Sequence, residues 1–200
     1  MVSKGLLIVV SGPSGAGKGT VCRELLKNNP QIKISTSATT RKPRAGEKDG
    51  VNYYFITEER FQHMMSEHEF LEYAVVYDNY YGTPKQYVMD NLHNGNDILL
   101  ELDIVGALQI KKKFEDAVFI FILPPSLKEL KNRIVNRGTE SLPDIEKRYD
   151  AAISEIKQVM KYDYAIINDS ISGAVYDIEA IVRAEKCRVV RNYEEILSRF

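Results

Sequence analysis

The sequence predicts an α/β fold in which helices flank a mostly parallel sheet. Short apolar runs alternate along the 200 residues with amphipathic stretches of helical spacing. The clearest runs, residues 6–10, 97–102 and 117–123, are dominated by apolar side chains, as in strands buried on both faces. The sequence shows no repeat or low-complexity segment. A chain of this length suffices for one buried core that carries small insertions.

The remaining elements follow from periodicity and from breaker residues. Asn29 and Pro30 end the first helix, and the Pro124-Pro125-Ser126 segment ends a strand and caps the next helix. Further strands are predicted at residues 32–36, 53–56, 71–76 and 164–168. Helices are predicted at about residues 18–28, 58–66, 84–94, 126–137, 142–161 and 172–186. A last helix is predicted at the tail, where the i, i+3, i+4, i+7 spacing favours packing of the helix against the protein over a docking motif. The apolar residues with this spacing are Tyr193, Ile196, Leu197 and Phe200.

Two polar segments interrupt the predicted core. The first, about residues 35–84, contains short strands and many tyrosines, and the second, about 137–152, lies between two helices. We therefore expect a core sheet that carries a small mixed α/β insert and a second, helical segment. The expected ranges are 1–34, 85–125 and 155–200 for the core, 35–84 for the insert and 126–154 for the helical segment. Two movable segments suggest an enzyme that closes over its substrates.

Composition excludes several classes of protein. The formal net charge of −1 excludes a bulk basic surface for nucleic acid, so any anion must be bound by local arginine clusters. Two cysteines, Cys22 and Cys187, provide no disulfide framework, and we expect a reduced, cytoplasmic setting. The N-terminal apolar run is too short for a signal peptide or a membrane span. The histidines, which lack metal-ligand spacing, are expected at the surface; they are His63, His68 and His93.

A glycine-rich loop, G-P-S-G-A-G-K-G-T, follows the first strand and leads into the first helix. This order of strand, loop and helix is the context that a phosphate-binding loop requires. The glycines let backbone N–H groups approach phosphate oxygens, the helix N-terminus adds its dipole, and Lys18 reaches the terminal phosphates. The pattern predicts that the chain binds a nucleoside triphosphate. The residues expected to contact it are Gly12, Pro13, Ser14, Gly15, Ala16, Gly17, Lys18, Gly19 and Thr20.

Position 19 departs from the usual loop, which carries a hydroxyl residue directly after the lysine. Here Gly19 follows Lys18, and the hydroxyl comes one residue later, on Thr20. Loops of the form G-K-G-T resemble those of nucleoside monophosphate kinases. Mg²⁺, a cation that loses its water reluctantly, would then be held largely through water and substrate oxygens. We expect it near Thr20, Glu101 and Asp103, with no protein ligand assigned to it directly.

A second phosphate site is predicted in the first insert. Arg41 and Arg44 lie three residues apart around a proline that stiffens the loop, and arginine forks bind phosphate oxygens bidentately. In isolation, such a segment is more often a solvated basic loop. Two further features favour a site: residues 79–84 (N-Y-Y-G-T-P) place phenols and a hydroxyl at an expected sharp turn, and Glu72 lies in an apolar strand. A buried carboxylate needs a hydrogen-bonding partner, either the protein's own or a ligand's.

Together these motifs resemble those of the guanylate kinase family, whose members phosphorylate GMP with ATP. The matching segments occur in the same order and extend from about residue 5 to residue 187. They are residues 11–20, 37–47, 50–55, 70–74, 79–83, 101–107, 121–126, 137–139 and 167–169. Two positions differ from the common pattern: Val105 replaces a frequent glutamine, and Glu101 replaces an aspartate found in some relatives.

The resemblance implies a role for each matched position. Those implied at the GMP phosphate are Arg41, Arg44, Tyr53 and Tyr81, and those at the guanine are Ser37, Glu72, Thr83 and Asp103. One carboxylate can accept both the N1–H and the N2 amino group of guanine, whereas adenine has no donor at N1. Ser37 and Thr83 would donate to O6. Glu101 would act beside the GMP site as a partner of metal-bound water.

The resemblance implies a P-loop NTPase-type core, a small mixed α/β nucleotide-binding insert at residues 35–84 and a helical lid region at residues 126–154. The lid region is implied to supply arginines to the ATP phosphates. These are Arg133, Arg137 and Arg148, while Asn168 is implied to contact the adenine. The catalytic set is then Lys18, Arg41, Arg137 and Arg148, because phosphoryl transfer depends on positioning and on cancelling charge. The expected partners are ATP, GMP or dGMP and Mg²⁺, with no nucleic acid and no membrane, in a monomer or small homo-oligomer.

Two other functions stay open from the sequence. The first is a kinase for another small phosphate ester, such as a ribose bisphosphate, which would not need Ser37, Glu72, Thr83 and Asp103 together. The second is a non-catalytic scaffold module, a class that loses phosphate-loop and lid residues, whereas this chain keeps Lys18.

Overall fold

The structure is a computed structural model that describes residues 5–44, 46–76, 78–135 and 142–200. Its strands are β1 (Leu7–Ser11), β2 (Lys33–Ile34), β3 (Ala38–Thr39), β4 (Tyr54–Phe55), β5 (Phe70–Val76), β6 (Asn79–Pro84), β7 (Ile98–Glu101), β8 (Val118–Leu123) and β9 (Tyr164–Ile167). Its helices are α1 (Lys18–Asn28), α2 (Glu58–Ser66), α3 (Lys85–His93), α4 (Ile104–Lys111), α5 (Leu127–Val135), α6 (Leu142–Ile156), α7 (Ile171–Lys186) and α8 (Val189–Leu197), and a 3₁₀ helix spans Lys157–Lys161.

Five parallel strands form the central sheet in the order β2-β7-β1-β8-β9. Strand β1 lies in the middle, and all of its residues are buried, which explains its unbroken apolar sequence. Alternate side chains pack on opposite faces. Ile8 and Val10 join the cluster under α1 and α7, and Leu7 and Val9 join the one under α3 and α4. The predicted fold class is confirmed.

A second, mixed sheet of four strands is formed by the first insert, in the order β4-β3-β6-β5. Residues 79–84, expected to form a sharp turn, are strand β6, which pairs antiparallel with β5 and places Glu72 opposite Thr83. That expectation was wrong because neighbouring strands satisfy the backbone groups of Tyr80 and Tyr81 on both sides. Stacking of Phe61 on Phe70, with ring centroids 4.5 Å apart, fills the small core of this sheet.

Helices α5 and α6 form the described part of the segment that was expected to be a lid. Leu130 and Ile134 of α5 pack against Ala152 of α6. Arg137 and the segment around it lie outside the described residues, so the prediction for that arginine is not addressed by the structure. None of the helices described has the length and apolar character needed to cross a lipid bilayer.

The tail forms helix α8, as the spacing predicted, but its apolar side chains do not pack on the core. Tyr193 is 53% exposed, Leu197 52% and Phe200 104%. The expectation of core packing was therefore wrong for this helix. Polar contacts hold its start instead, since buried Glu185 at the end of α7 accepts hydrogen bonds from Arg188 and Arg191. The predicted surface positions of the histidines and the packing role of Cys22 are confirmed.

Candidate active site

One cavity of about 320 Å³ joins the glycine-rich loop to the mixed sheet at the carboxyl ends of β1 and β7. Ligands of open α/β sheets bind at this edge. The loop contributes Gly12, Ser14, Gly15, Gly17, Lys18 and Gly19. The insert contributes Ser37, Arg44, Tyr53, Glu72 and Tyr81. Three more acidic residues complete the ionisable lining, namely Glu101, Asp103 and Glu155.

Lys18 lies at the turn from the loop into α1. Its Nζ donates to the carbonyls of Gly12 at 2.6 Å and Pro13 at 3.1 Å, which leaves one of its three N–H groups for a ligand. Burial lowers the pKa of Lys18, and the nearby carboxylates of Glu101 and Glu155 partly oppose that shift. Two loop carbonyls thus hold a desolvated cation at the start of α1.

Two side chains that were expected to contact ATP hold the glycine-rich loop in this structure. Asn168, which is buried, donates through Nδ2 to the Ala16 carbonyl at 2.8 Å. Arg133 donates to that carbonyl and to the Asn168 carbonyl, at 3.3 Å each. A Cβ atom on Gly17, whose φ is +91°, would lie 2.5 Å from Asn168 Nδ2. These contacts fix the loop backbone that would receive phosphate oxygens.

Helix α6 contacts the same loop at Ser14. Arg148 Nη2 donates to Ser14 Oγ at 2.8 Å, and Glu155 Oε2 accepts from the Ser14 N–H at 3.1 Å. The two side chains lie seven residues apart, so they share one face of α6. Sequence reasoning missed Glu155; its spacing from Arg148 is the signal that could have drawn attention to it.

In the insert, Arg41 contacts both aromatic side chains and a carboxylate. Its Nε donates to the Tyr81 hydroxyl at 3.2 Å, and its guanidinium lies 5.4 Å from the centre of the Tyr53 ring. Both oxygens of Glu47 accept from its two terminal nitrogens, at 3.0 Å each. Burial raises the pKa of the Tyr53 phenol to about 12, so that phenol stays a hydrogen-bond donor. Arg44 lines the cavity beside this group.

The carboxylate of Glu72 is the buried charge expected from the sequence, with 4% of its surface exposed. Thr83 Oγ1 donates to Glu72 Oε1 at 2.6 Å, so this hydroxyl is committed to the carboxylate, whereas the sequence analysis directed it to guanine O6. Burial raises the pKa of Glu72 to about 7; the hydrogen bond from Thr83 lowers it and the charge of Asp103 raises it.

Asp103 caps helix α4 and also lines the cavity. Its Oδ1 accepts from the Gly106 N–H at 2.8 Å, which leaves Oδ2 for another donor. Gly106 lets α4 approach the insert closely, because a Cβ atom there would lie 2.5 Å from Glu72 Oε2. Helix α4 therefore brings a second carboxylate within reach of the same ligand.

The cavity has oxygen donors that suit Mg²⁺, although it has no cage of protein ligands. Glu101 borders the loop so closely that a Cβ atom on Gly19 would lie 3.3 Å from its Oε1. Thr20, at the start of α1, is exposed, and its hydroxyl accepts from Arg23 at 3.4 Å. Among the residues that the structure describes, no group of three or more His, Cys, Asp or Glu side chains is placed to hold a metal ion.

A family of known proteins matches most of the chain. A family model described as guanylate kinase matches residues 4–185. The chain belongs to the guanylate kinase family. Residues 4–185 include all the described residues of the cavity, so the family assignment and the geometry concern the same site.

Two bacterial guanylate kinases are similar to the chain over nearly their whole length. That of Clostridioides difficile is 57% identical over 199 residues, which cover 100% of this chain and 97% of the relative. That of Caldanaerobacter subterraneus subsp. tengcongensis is 59% identical over 189 residues, covering 94% and 92%. The crystal structure of guanylate kinase from Anaplasma phagocytophilum aligns with a TM-score of 0.81 at 36% identity, covering 94% of this chain and 90% of that one.

Proposed function

We propose that the chain transfers the γ-phosphoryl group of ATP to GMP, giving ADP and GDP. The observation that carries the proposal is the single cavity lined by the phosphate loop on one side and by Arg44 and Glu72 on the other. A cavity of this kind would hold a nucleoside triphosphate and a nucleoside monophosphate next to each other. Such proximity converts a reaction between two molecules into one within a complex.

Guanine is favoured as the acceptor base because of Glu72. Guanine presents two adjacent donors, N1–H and the N2 amino group, and an ionised carboxylate accepts both. Thr83 holds one carboxylate oxygen through its hydroxyl, and the free oxygen of Asp103 would accept the second N2 hydrogen. Adenine would leave the buried Glu72 charge unpaired, and such a loss weakens binding strongly.

Transfer needs no nucleophile from the protein, because an oxygen of the GMP phosphate attacks the γ-phosphorus in line. Arg44 and the phenols of Tyr53 and Tyr81 would hold that acceptor phosphate. Lys18 and the loop N–H groups would stabilise the negative charge on the transferring group and on the leaving ADP. Mg²⁺, when bound, adds charge neutralisation at the ATP phosphates; Glu101 and Asp103 would hold its waters.

We propose further that residues 35–84 and 126–154 move as an insert and a lid around the core. The contact of Arg148 with Ser14 supports this, since it joins the 126–154 segment to the loop directly. Closure around both substrates would exclude water, which otherwise competes with GMP as the acceptor.

The test is an assay of ADP release with ATP and Mg²⁺, comparing GMP, dGMP, AMP, UMP, CMP, ribose 1,5-bisphosphate and no acceptor. We expect turnover with GMP, and with dGMP if the ribose hydroxyl is not read. Turnover with the ribose bisphosphate but not with GMP would overturn the acceptor assignment. GMP binding without any acceptor-dependent turnover would instead indicate a scaffold module.

A further inference from the structure

We propose that Glu47 is a positioning residue for the acceptor phosphate, acting through Arg41 and the Arg44 loop. This inference rests on the proposed function, because it assigns Glu47 a task in the binding of GMP. Arg44 lines the cavity, whereas Arg41 and Glu47 lie just behind the lining, so Glu47 would act on the substrate through these arginines.

The Glu47 carboxylate makes three hydrogen bonds to these two residues. It accepts from Arg41 Nη1 and Nη2 at 3.0 Å each, as a bidentate pair, and from the Arg44 N–H at 2.7 Å. The Glu47 N–H in turn donates to the Arg44 carbonyl at 3.0 Å, so two hydrogen bonds join Arg44 and Glu47. The side chains of Arg41 and Glu47 are only 14% and 18% exposed, which shields the pair from solvent.

The donors of Arg41 are almost all committed in this arrangement. Of its five N–H groups, one reaches Tyr81, one reaches the Lys42 carbonyl at 2.7 Å, and two reach Glu47. One donor on Nη2 is left for a phosphate oxygen. Glu47 therefore determines which edge of the guanidinium Arg41 presents to GMP, whereas Arg44, which lines the cavity, supplies its own fork.

If only the charge of Glu47 mattered, this residue would weaken GMP binding rather than support it. The two arginines and Glu47 together carry one net positive charge, so removing the carboxylate would double the charge facing the phosphate. The hydrogen bonds from Arg41 lower the pKa of Glu47, which keeps it ionised at neutral pH. A screening role for Glu47 predicts tighter GMP binding on neutralisation, and a positioning role predicts weaker binding and slower transfer.

The experiment compares Glu47→Gln, Glu47→Asp and Glu47→Ala with wild type. It measures kcat, the KM for each substrate, GMP affinity by calorimetry without ATP, and the melting temperature. Glu67→Gln is the matched control, since it removes the same charge at an exposed position of the same insert. Aspartate keeps the charge but is one methylene too short for the bidentate contact, so it separates charge from geometry.

We expect kcat/KM for GMP to fall about tenfold in Glu47→Gln and about a hundredfold in Glu47→Ala, by analogy with the range found for residues that orient the ligands of a metal ion. The KM for ATP should be unchanged in these variants, and the control variant should have wild-type kcat/KM for GMP. The loss in Glu47→Asp should be similar to that in Glu47→Gln. Unchanged or tighter GMP binding with normal kcat would overturn the proposal, as would losses that merely follow the melting temperature. Wild type without GMP turnover would instead refute the proposed function.

Discussion

Use of GMP should depend on the ionisation of Glu72, and the predicted direction is an increase with pH. Burial raises the pKa of this carboxyl from its ordinary 4.5 to about 7, and the Asp103 charge adds to that shift. The ionised form accepts both guanine donors. In the protonated form one carboxyl oxygen becomes a donor. It would then face N1–H or the amino group of guanine, which are donors too, and one hydrogen bond would be lost.

The size of the effect follows from the position of this pKa. With a pKa of about 7, the ionised fraction of Glu72 is about 0.1 at pH 6 and about 0.9 at pH 8. We therefore expect kcat/KM for GMP to rise about ninefold between these pH values. The substrate phosphate titrates too, with a second pKa of about 6 for phosphate esters, so a reference without this carboxyl is needed.

Glu72→Gln supplies that reference, because the amide oxygen still accepts from Thr83 while the amide has no acid to titrate. We expect the variant to lose at least about a hundredfold in kcat/KM for GMP, since two hydrogen bonds to a charged group are lost. Its remaining pH profile should show only the phosphate. A wild-type profile of the same shape as that of Glu72→Gln would refute the assignment of Glu72 as the titrating guanine contact.

The same pKa shift predicts the pH dependence of stability. A carboxyl whose folded pKa is raised binds its proton more tightly in the folded state, so the stabilisation is complete below pH 4.5 and is lost as pH rises through about 7. The shift corresponds to about 3 kcal/mol between these limits for ligand-free protein. Urea unfolding from pH 5 to pH 8 should therefore show a steeper loss for wild type than for Glu72→Gln, and parallel curves would contradict this.

Two glycine substitutions test the packing around the cavity. Gly106→Ala places a Cβ atom 2.5 Å from the Glu72 carboxylate, so we expect the KM for GMP to rise about tenfold or more while the KM for ATP stays unchanged. Val105→Ala, at the exposed neighbouring position, is the control. An unchanged KM for GMP in Gly106→Ala would contradict the close approach of α4. Gly17→Ala combines a positive φ with a clash against a buried amide and should raise the KM for ATP strongly. Gly46→Ala has a similar positive φ but open space, so equal losses of stability in the two variants would show that backbone strain alone is responsible.

The parts of the site that lie close in sequence were predictable. The strand, loop and helix around Lys18 form one local pattern, and three of its glycines, Gly12, Gly15 and Gly17, have the positive φ angles that such a loop needs. The apolar context of Glu72 likewise predicted a buried carboxylate. In both cases the signal lies within about ten residues, where periodicity and turn chemistry carry information.

The contacts that orient these groups join distant segments, and no local pattern predicts them. Asn168 reaches Ala16 across 152 positions, and Glu155 reaches Ser14 across 141. The error at β6 has a related cause, because the glycine and proline of residues 79–84 indicate a turn until the partner strands on both sides are known. The apolar face of α8 shows the converse, since helical spacing predicts a helix but does not identify what covers it.

The long-range contacts also explain how a loop made largely of glycine holds one conformation. Glycine lowers the cost of the loop geometry but raises the entropy lost on ordering it, so the order must be imposed by other residues. Asn168 and Arg133 hold the Ala16 carbonyl, and Lys18 holds the carbonyls of Gly12 and Pro13. Arg148 and Glu155 of α6 hold Ser14. Under the proposed lid movement, docking of α6 would complete the ordering of the loop at Ser14, so the energy of closure would contribute to the positioning of ATP.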